Sequence, residues 1–265
     1  MKDNNKVCDI LTSNEGFYII RIYLDNGKNN APVYLLLDTG TSTSLLSLNL
    51  IRRESNLISF RLSHEGKEYS HNFKDVKEDR IQMVKDYHIQ GIIGVDFLLK
   101  NQLIVDFWKY EISHGLSKKT FPKYDFFYPL KSMNNLFKVP IVGIKTETDT
   151  FAFLIDSGSN SNVISSDLVN INKHASYKGA DPIVLENMDS SINGYSSNVV
   201  IKVASIDKGN LKYIPYSISA AITDTGNFSH DLFKSFYLKG VLGSRFLHEN
   251  HWIIDFKNLI VYSPA

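Results

Sequence analysis

Two stretches of this 265-residue chain carry residue types that could do chemistry: Leu35-Leu36-Leu37-Asp38-Thr39-Gly40-Thr41-Ser42 and Phe153-Leu154-Ile155-Asp156-Ser157-Gly158-Ser159-Asn160. Each runs three bulky apolar residues into Asp, a hydroxyl residue and Gly, the pattern of a buried strand that delivers a carboxylate to a tight turn. The aspartates stand 118 residues apart, and the repetition implies two carboxylates that meet. Two carboxylates about 3 Å apart cannot both ionise, so they share one proton. The ionised member can then take a proton from a water held between them while the protonated member hydrogen-bonds a carbonyl. That is general acid–base hydrolysis, with neither a metal nor a covalent intermediate.

The triplet alone is weak, since Asp-(Ser/Thr)-Gly arises by chance in roughly one chain in ten of this length. Asp224-Thr225-Gly226 is such a case, without the apolar residues before it, and reads as a simple turn. What sets Asp38 and Asp156 apart is a second shared segment downstream. Gly91-Ile92-Ile93-Gly94 is followed by Leu103-Ile104-Val105-Asp106-Phe107, and Gly240-Val241-Leu242-Gly243 by Trp252-Ile253-Ile254-Asp255-Phe256. Aligned without a gap, the two copies agree at both glycines and at Phe97, Leu98, Asn101, Ile104, Asp106 and Phe107. A repeat this long indicates a duplicated domain rather than a solenoid.

The elements that must position the aspartates are mostly strands. Phe17 to Leu24 is rich in β-branched and aromatic residues and ends at Asp25-Asn26-Gly27, a strand and turn. Residues 1–16 read as an irregular lead-in. Ser44 to Glu54 fits a helical turn or an extended segment, and periodicity leaves both open. Asn56 to Phe73 reads as a hairpin around His64-Glu65-Gly66-Lys67, and 75–89 is the most helical stretch of the first half. Asp38 to Gly94 spans 56 residues and Asp156 to Gly243 spans 87, so the second copy carries about 31 more, expected as strands and loops between 170 and 236. The domain reading is a lead-in over 1–16, an N-terminal lobe over 17–114, a connection over 115–135 and a C-terminal lobe over 136–265. The aromatic cluster Tyr124-Asp125-Phe126-Phe127-Tyr128 in the connection suits packing between lobes.

Composition excludes several classes. With 29 basic and 28 acidic residues the net charge is +1, which supplies no field for nucleic acid or an anionic membrane. Cys8 is the only cysteine, so no intrachain disulfide forms. There is no run of 18 apolar residues and no apolar segment near the N-terminus. The expectation is a soluble monomer, cytoplasmic or exported with a leader removed.

Apolar strand, Asp-(Thr/Ser)-Gly, small polar pair and downstream apolar-apolar-Gly, present twice between about Phe17 and Tyr262, resemble the pepsin and retropepsin families of aspartic proteases. The chain is most similar to a compact, bacterial-type, single-chain form with two retropepsin-like lobes. The resemblance implies a mostly β, bilobal, pepsin-like acid protease fold of two pseudo-twofold related β-barrel lobes. It also implies an aspartic endopeptidase that needs no cofactor, with Asp38 and Asp156 catalytic and a peptide or protein substrate as its partner. Thr39 and Ser157 would make crossed hydroxyl-to-backbone bonds between the lobes, and Gly40 and Gly158 would shape the turns. Thr41 and Ser159 would bond the outer carboxylate oxygens, and Gly94 and Gly243 would pack beside the active-site loops. Bonds to the ionised form lower a carboxyl pKa, so an activity optimum below about pH 6 is expected.

Asn160 departs mildly from the Ser or Thr common at its position in that family. No clear flap appears in the first half, where Tyr69 is a candidate. In the second half Asn193-Gly194 reads as a hairpin turn before the strand Asn198 to Val203, making Gly194 and Tyr195 flap candidates. His248 and His251 suit a loop between strands better than a metal site. Asp106 and Asp255 suit structural capping or surface roles. No serine sits in a Gly-x-Ser-x-Gly elbow, and Cys8 has no His nearby in sequence. The rival reading is a catalytically inactive peptide-binding or inhibitor-like module on the same fold.

Overall fold

A computed structural model describes residues 5–24, 31–50, 56–63, 66–77, 81, 84, 86–115, 126–127, 139–145, 149–171, 181–186, 191–207, 210–223 and 238–263. The first half contains β1 (Lys6–Asp9), β2 (Leu11–Thr12), β3 (Tyr18–Leu24), β4 (Val33–Leu37), β5 (Leu45–Ser47), β6 (Leu57–Arg61), β7 (Glu68–Asn72), β8 (Lys74–Val76) and β9 (Ile89–Ile93). Helix α1 (Val95–Lys100), β10 (Ile104–Asp106) and β11 (Glu111–Ser113) complete it. The second half follows with β12 (Phe126–Phe127), β13 (Ile141–Lys145), β14 (Thr150–Asp156), β15 (Asn162–Ser165), α2 (Ser166–Ile171), β16 (Asp181–Glu186), β17 (Ser191–Asp207), β18 (Asn210–Thr223) and β19 (Leu238–Gly243). It ends in α3 (Ser244–Glu249), β20 (Ile253–Asp255) and β21 (Ile260–Tyr262). Among the described residues no helix is long and apolar enough to cross a membrane.

Each half builds a lobe on one strand plan. In the first, β4 runs parallel to β9 with Leu37 opposite Ile93, β5 lies antiparallel on β9 and parallel to β8, and β3 pairs with both β4 and β6. In the second, β14 runs parallel to β19 with Asp156 opposite Gly243, β15 lies antiparallel on β19 and parallel to β18, and β13 pairs with both β14 and β17. The β13–β17 pairing closes the second sheet into a barrel. The addition in the second lobe is β16, an edge strand that pairs with the leading part of β17 as a hairpin.

A third sheet joins the halves in the order β1-β11-β10-β20-β21-β12. At its centre β10 and β20 run antiparallel with Val105 opposite Ile254. The two copies of the repeat thus meet one another, and the pseudo-twofold relating the lobes passes between those residues. Both are buried, as are Phe107, Phe246 and Trp252. Trp252 packs edge-on against Phe246, 4.8 Å between centroids. Burying each such side chain contributes about 1.5–3 kcal/mol.

Several local expectations are corrected. Residues 6–9 and 11–12 are strands, because β11 and β3 supply ladder partners that the polar sequence does not advertise. Asp75 and Val76, which open the stretch expected to be helical, belong to strand β8 through its pairing with β5, and Ile89 opens β9; residues 78–80, 82, 83 and 85 lie outside the described residues. Leu45–Ser47 resolves the open choice at 44–54 in favour of an extended start. Asn193-Gly194 is no turn, since both residues lie within β17, opposite Val184 and Ile183 of β16. The hairpin expected over 56–73 is present as β6 and β7. Asp224-Thr225-Gly226 and most of the connection, including Tyr124 and Tyr128, lie outside the described residues.

Candidate active site

Strands β4 and β14 are buried along their last residues, Leu35 to Leu37 and Phe153 to Ile155, which fixes where their C-terminal aspartates emerge. Asp38 N–H is tied to Ile93 O at 3.0 Å. The carboxylate of Asp38, 6 % exposed, accepts from Gly40 N–H at 2.8 Å on Oδ1 and from the Thr41 hydroxyl at 2.7 Å on Oδ2. Asp156 accepts from Gly158 N–H at 2.9 Å on Oδ1.

Four crossed bonds lock the two loops. Thr39 N–H donates to Ser157 Oγ at 3.0 Å and the Ser157 hydroxyl donates to Leu37 O at 2.8 Å. Ser157 N–H donates to Thr39 Oγ1 at 3.0 Å and the Thr39 hydroxyl donates to Ile155 O at 2.9 Å. Thr39 and Ser157 are fully buried, so every bond in this set replaces one that water cannot supply.

The lock presses each carboxylate against the glycine of the opposite loop. A Cβ on Gly40 would meet Asp156 Cγ at 2.5 Å, and a Cβ on Gly158 would meet Asp38 Cγ at 2.4 Å. Only glycine allows this approach. Burial pushes the Asp156 carboxyl well above the usual carboxylate range, and the neighbouring Asp38, as like charge and hydrogen-bond partner, pushes the same way; the N–H groups of Gly158 and Ser159 oppose them. Two carboxylates so placed share one proton.

Behind each loop stands a second matched clasp. Val95 N–H donates to Thr41 O at 2.9 Å, and Ser244 N–H to Ser159 O at 2.7 Å. A Cβ on Gly94 would lie 2.8 Å from Thr41 O, and one on Gly243 2.5 Å from Ser161 O. Gly94 N–H donates to Ser44 Oγ at 3.0 Å, whereas Gly243 N–H donates to Asn162 Oδ1 at 2.9 Å. Ser44 and Asn162 each stand six residues after their aspartate. Their role was not foreseen, and that equal offset is the signal that could have found it. Ser44 also donates to Asp96 Oδ1 at 2.6 Å, and His71 lies 3.1 Å from Asp96 Oδ2. Burial works against the Asp96 charge, but the hydrogen bonds from His71 and Ser44 outweigh it and hold that carboxyl below its usual range.

Other candidates fall elsewhere. The Ser159 hydroxyl does not reach a carboxylate; it donates to Ser161 O at 2.9 Å, because the loop turns its side chain along the backbone. Tyr69 is no flap residue. It is 4 % exposed, packed on Phe60 and Phe97 with its hydroxyl 3.1 Å from His114 Nε2. Gly194 is buried against Ile222 O, while Tyr195 is 53 % exposed. Asp106 and Asp255 are buried turn caps, each accepting two backbone N–H bonds at 2.9–3.0 Å. His248 stands on α3 rather than in a loop, stacked on Tyr110, and His251 stacks on Trp108. No metal-ligand cluster occurs among the described residues. Burial pushes the Cys8 thiol up to about 12, which removes it as a nucleophile.

The sequence matches no protein-family model and no curated protein. In three dimensions the chain is similar to basic 7S globulin from soybean, with a TM-score of 0.60 at 10 % identity over 99 % of this chain and 95 % of that one. At that identity the likeness establishes the fold. The chain has a mostly β, bilobal, pepsin-like fold.

Proposed function

We propose that the protein is an aspartic-type endopeptidase that hydrolyses an extended polypeptide with Asp38 and Asp156. The observation that carries this reading is the seating of each carboxylate against the other loop's glycine, which brings the two acids together. In the reaction Asp38 takes a proton from water as its oxygen attacks the scissile carbonyl carbon, while Asp156 gives its proton to the carbonyl oxygen. The tetrahedral diol then collapses as Asp156 takes back a proton from one diol hydroxyl, the C–N bond breaks and the amine leaves with the proton from Asp38. The β16–β17 hairpin covers the bound peptide, adding main-chain bonds at its free edge, and Tyr195 is an exposed side chain it offers.

The test is cleavage of a mixed peptide library between pH 3 and 7, read by mass spectrometry, with and without a statine-type mimic. Asp38→Asn and Asp156→Asn should each lower cleavage by about 10²–10⁴-fold. Cleavage that survives both substitutions refutes the dyad. Peptide binding without cleavage by the wild type establishes the inactive binding module instead, the reading nearer to a neighbour named as a globulin.

A further inference from the structure

Next to the catalytic loop of the second lobe lies a cavity of about 360 Å³ that both lobes line. The first lobe contributes Tyr110 and the turn between β2 and β3, where Phe17 N–H donates to Ser13 Oγ at 3.0 Å and Gly16 N–H to Ser13 O at 3.0 Å, presenting Glu15. The second contributes Asn160, Ser244 and Arg245. Two of the residues that line it each carry an orphaned polar atom. Glu15 Oε2 and Ser244 Oγ are shut away from solvent without any hydrogen bond, and Ser244 is 1 % exposed.

An acceptor left in this state lacks a donor, and an unpaired carboxylate oxygen lacks a cation. Several other polar groups of the cavity are committed. Arg245 Nε donates to Glu249 at 2.7 Å, the Tyr18 hydroxyl donates to Ser244 O at 2.9 Å, and His248 Nε2 lies 3.1 Å from the Tyr110 hydroxyl. Among the described residues Glu15 has no cationic partner.

We propose that this cavity is a subsite for a lysine or arginine side chain of the substrate, whose N–H groups donate to Glu15 Oε2 and Ser244 Oγ together. An ammonium or guanidinium carries several donors and no acceptor, which suits two unpartnered oxygens better than a neutral amide does. The inference rests on the peptidase reading. Asn160 follows Asp156 by four residues, a reach of at most about 14 Å. An extended peptide advances about 3.3 Å per residue, so the basic residue lies within about four positions of the scissile bond.

The test separates the subsite from the chemistry. Asp156→Asn protein is titrated by fluorescence anisotropy with ten-residue peptides that differ only in carrying Lys, norleucine or Glu at successive positions. Lysine at one position should tighten Kd by about tenfold over norleucine. Glu15→Gln in the same background should erase that gain, and Glu15→Lys should transfer it to the Glu peptide, with the norleucine peptide unchanged throughout. Equal affinity for Lys and norleucine at every position, a preference that outlives Glu15→Gln, or no peptide binding overturns the subsite. Library cleavage by the wild type is read in parallel. Cleavage with no basic preference sinks the subsite and leaves the peptidase standing, whereas a Glu15-dependent preference in binding without any cleavage does the reverse.

Discussion

The Thr41 hydroxyl donates to Asp38 Oδ2 at 2.7 Å, while Ser159, its counterpart three residues after Asp156, gives its proton to the Ser161 carbonyl at 2.9 Å. Duplication has therefore left an unequal pair. Asp38 receives a donor on each oxygen. Asp156 lacks that hydroxyl, and burial together with the neighbouring Asp38 pushes its carboxyl above the usual range. In the proposed reaction this inequality makes Asp38 the base and Asp156 the acid.

Thr41→Val tests the assignment. Losing that hydroxyl should lower kcat/KM by about tenfold or more and move the acid limb of its pH profile upward. Ser159→Ala should leave the profile in place. Profiles of both variants against one peptide decide it.

The raised Asp156 carboxyl makes stability fall as pH rises. Its folded pKa exceeds the unfolded value near 3.8, so between the two the native state binds more protons than the unfolded chain. Stability from this group is complete below about pH 3.8 and is lost as pH climbs through the folded pKa. Asp156→Asn should then raise Tm at pH 7 by several degrees, on the order of 1–3 kcal/mol, with the gain vanishing at pH 3.5. Calorimetry at the two pH values checks this.

Gly40→Ala and Gly158→Ala would each place a methyl 2.4–2.5 Å from the opposing carboxyl carbon. Spreading the loops should cost about 1–3 kcal/mol and more than about 10² in kcat/KM, since misplacement of roughly 1 Å has that effect. Thermal melts and kinetics on the same samples separate the two losses.

Ser157→Ala strips the partner from Thr39 N–H and Leu37 O, and Thr39→Val does the same to Ser157 N–H and Ile155 O. Each leaves two buried backbone groups unpaired, at about 1–3 kcal/mol apiece. Urea midpoints should drop in both variants with an unchanged m-value.

Much of the site was legible because its signals are local. Three apolar residues before each Asp are a property of neighbours in the chain, as are the glycines and the repeated apolar-apolar-Gly. The misreadings share one cause. Asn193-Gly194 has turn composition, yet Gly194 is needed because a Cβ there would meet Ile222 O at 2.9 Å, and a glycine in sequence does not say which demand it serves. Tyr69 looks like a residue for a mobile tip, and it went instead to a core of aromatic rings.

By itself the amino-acid order determined that the chain is duplicated, mostly strand, and furnished with one carboxylate per half, since duplication and strand pattern are written in residue identity alone. The unequal dyad, the Ser44 and Asn162 clasps and the inter-lobe cavity with Glu15 were decided by the tertiary structure. The clasps join groups 50 and 81 residues apart, the cavity wall draws on both lobes, and the dyad's inequality turns on which nearby acceptor each loop hydroxyl finds once the lobes have packed.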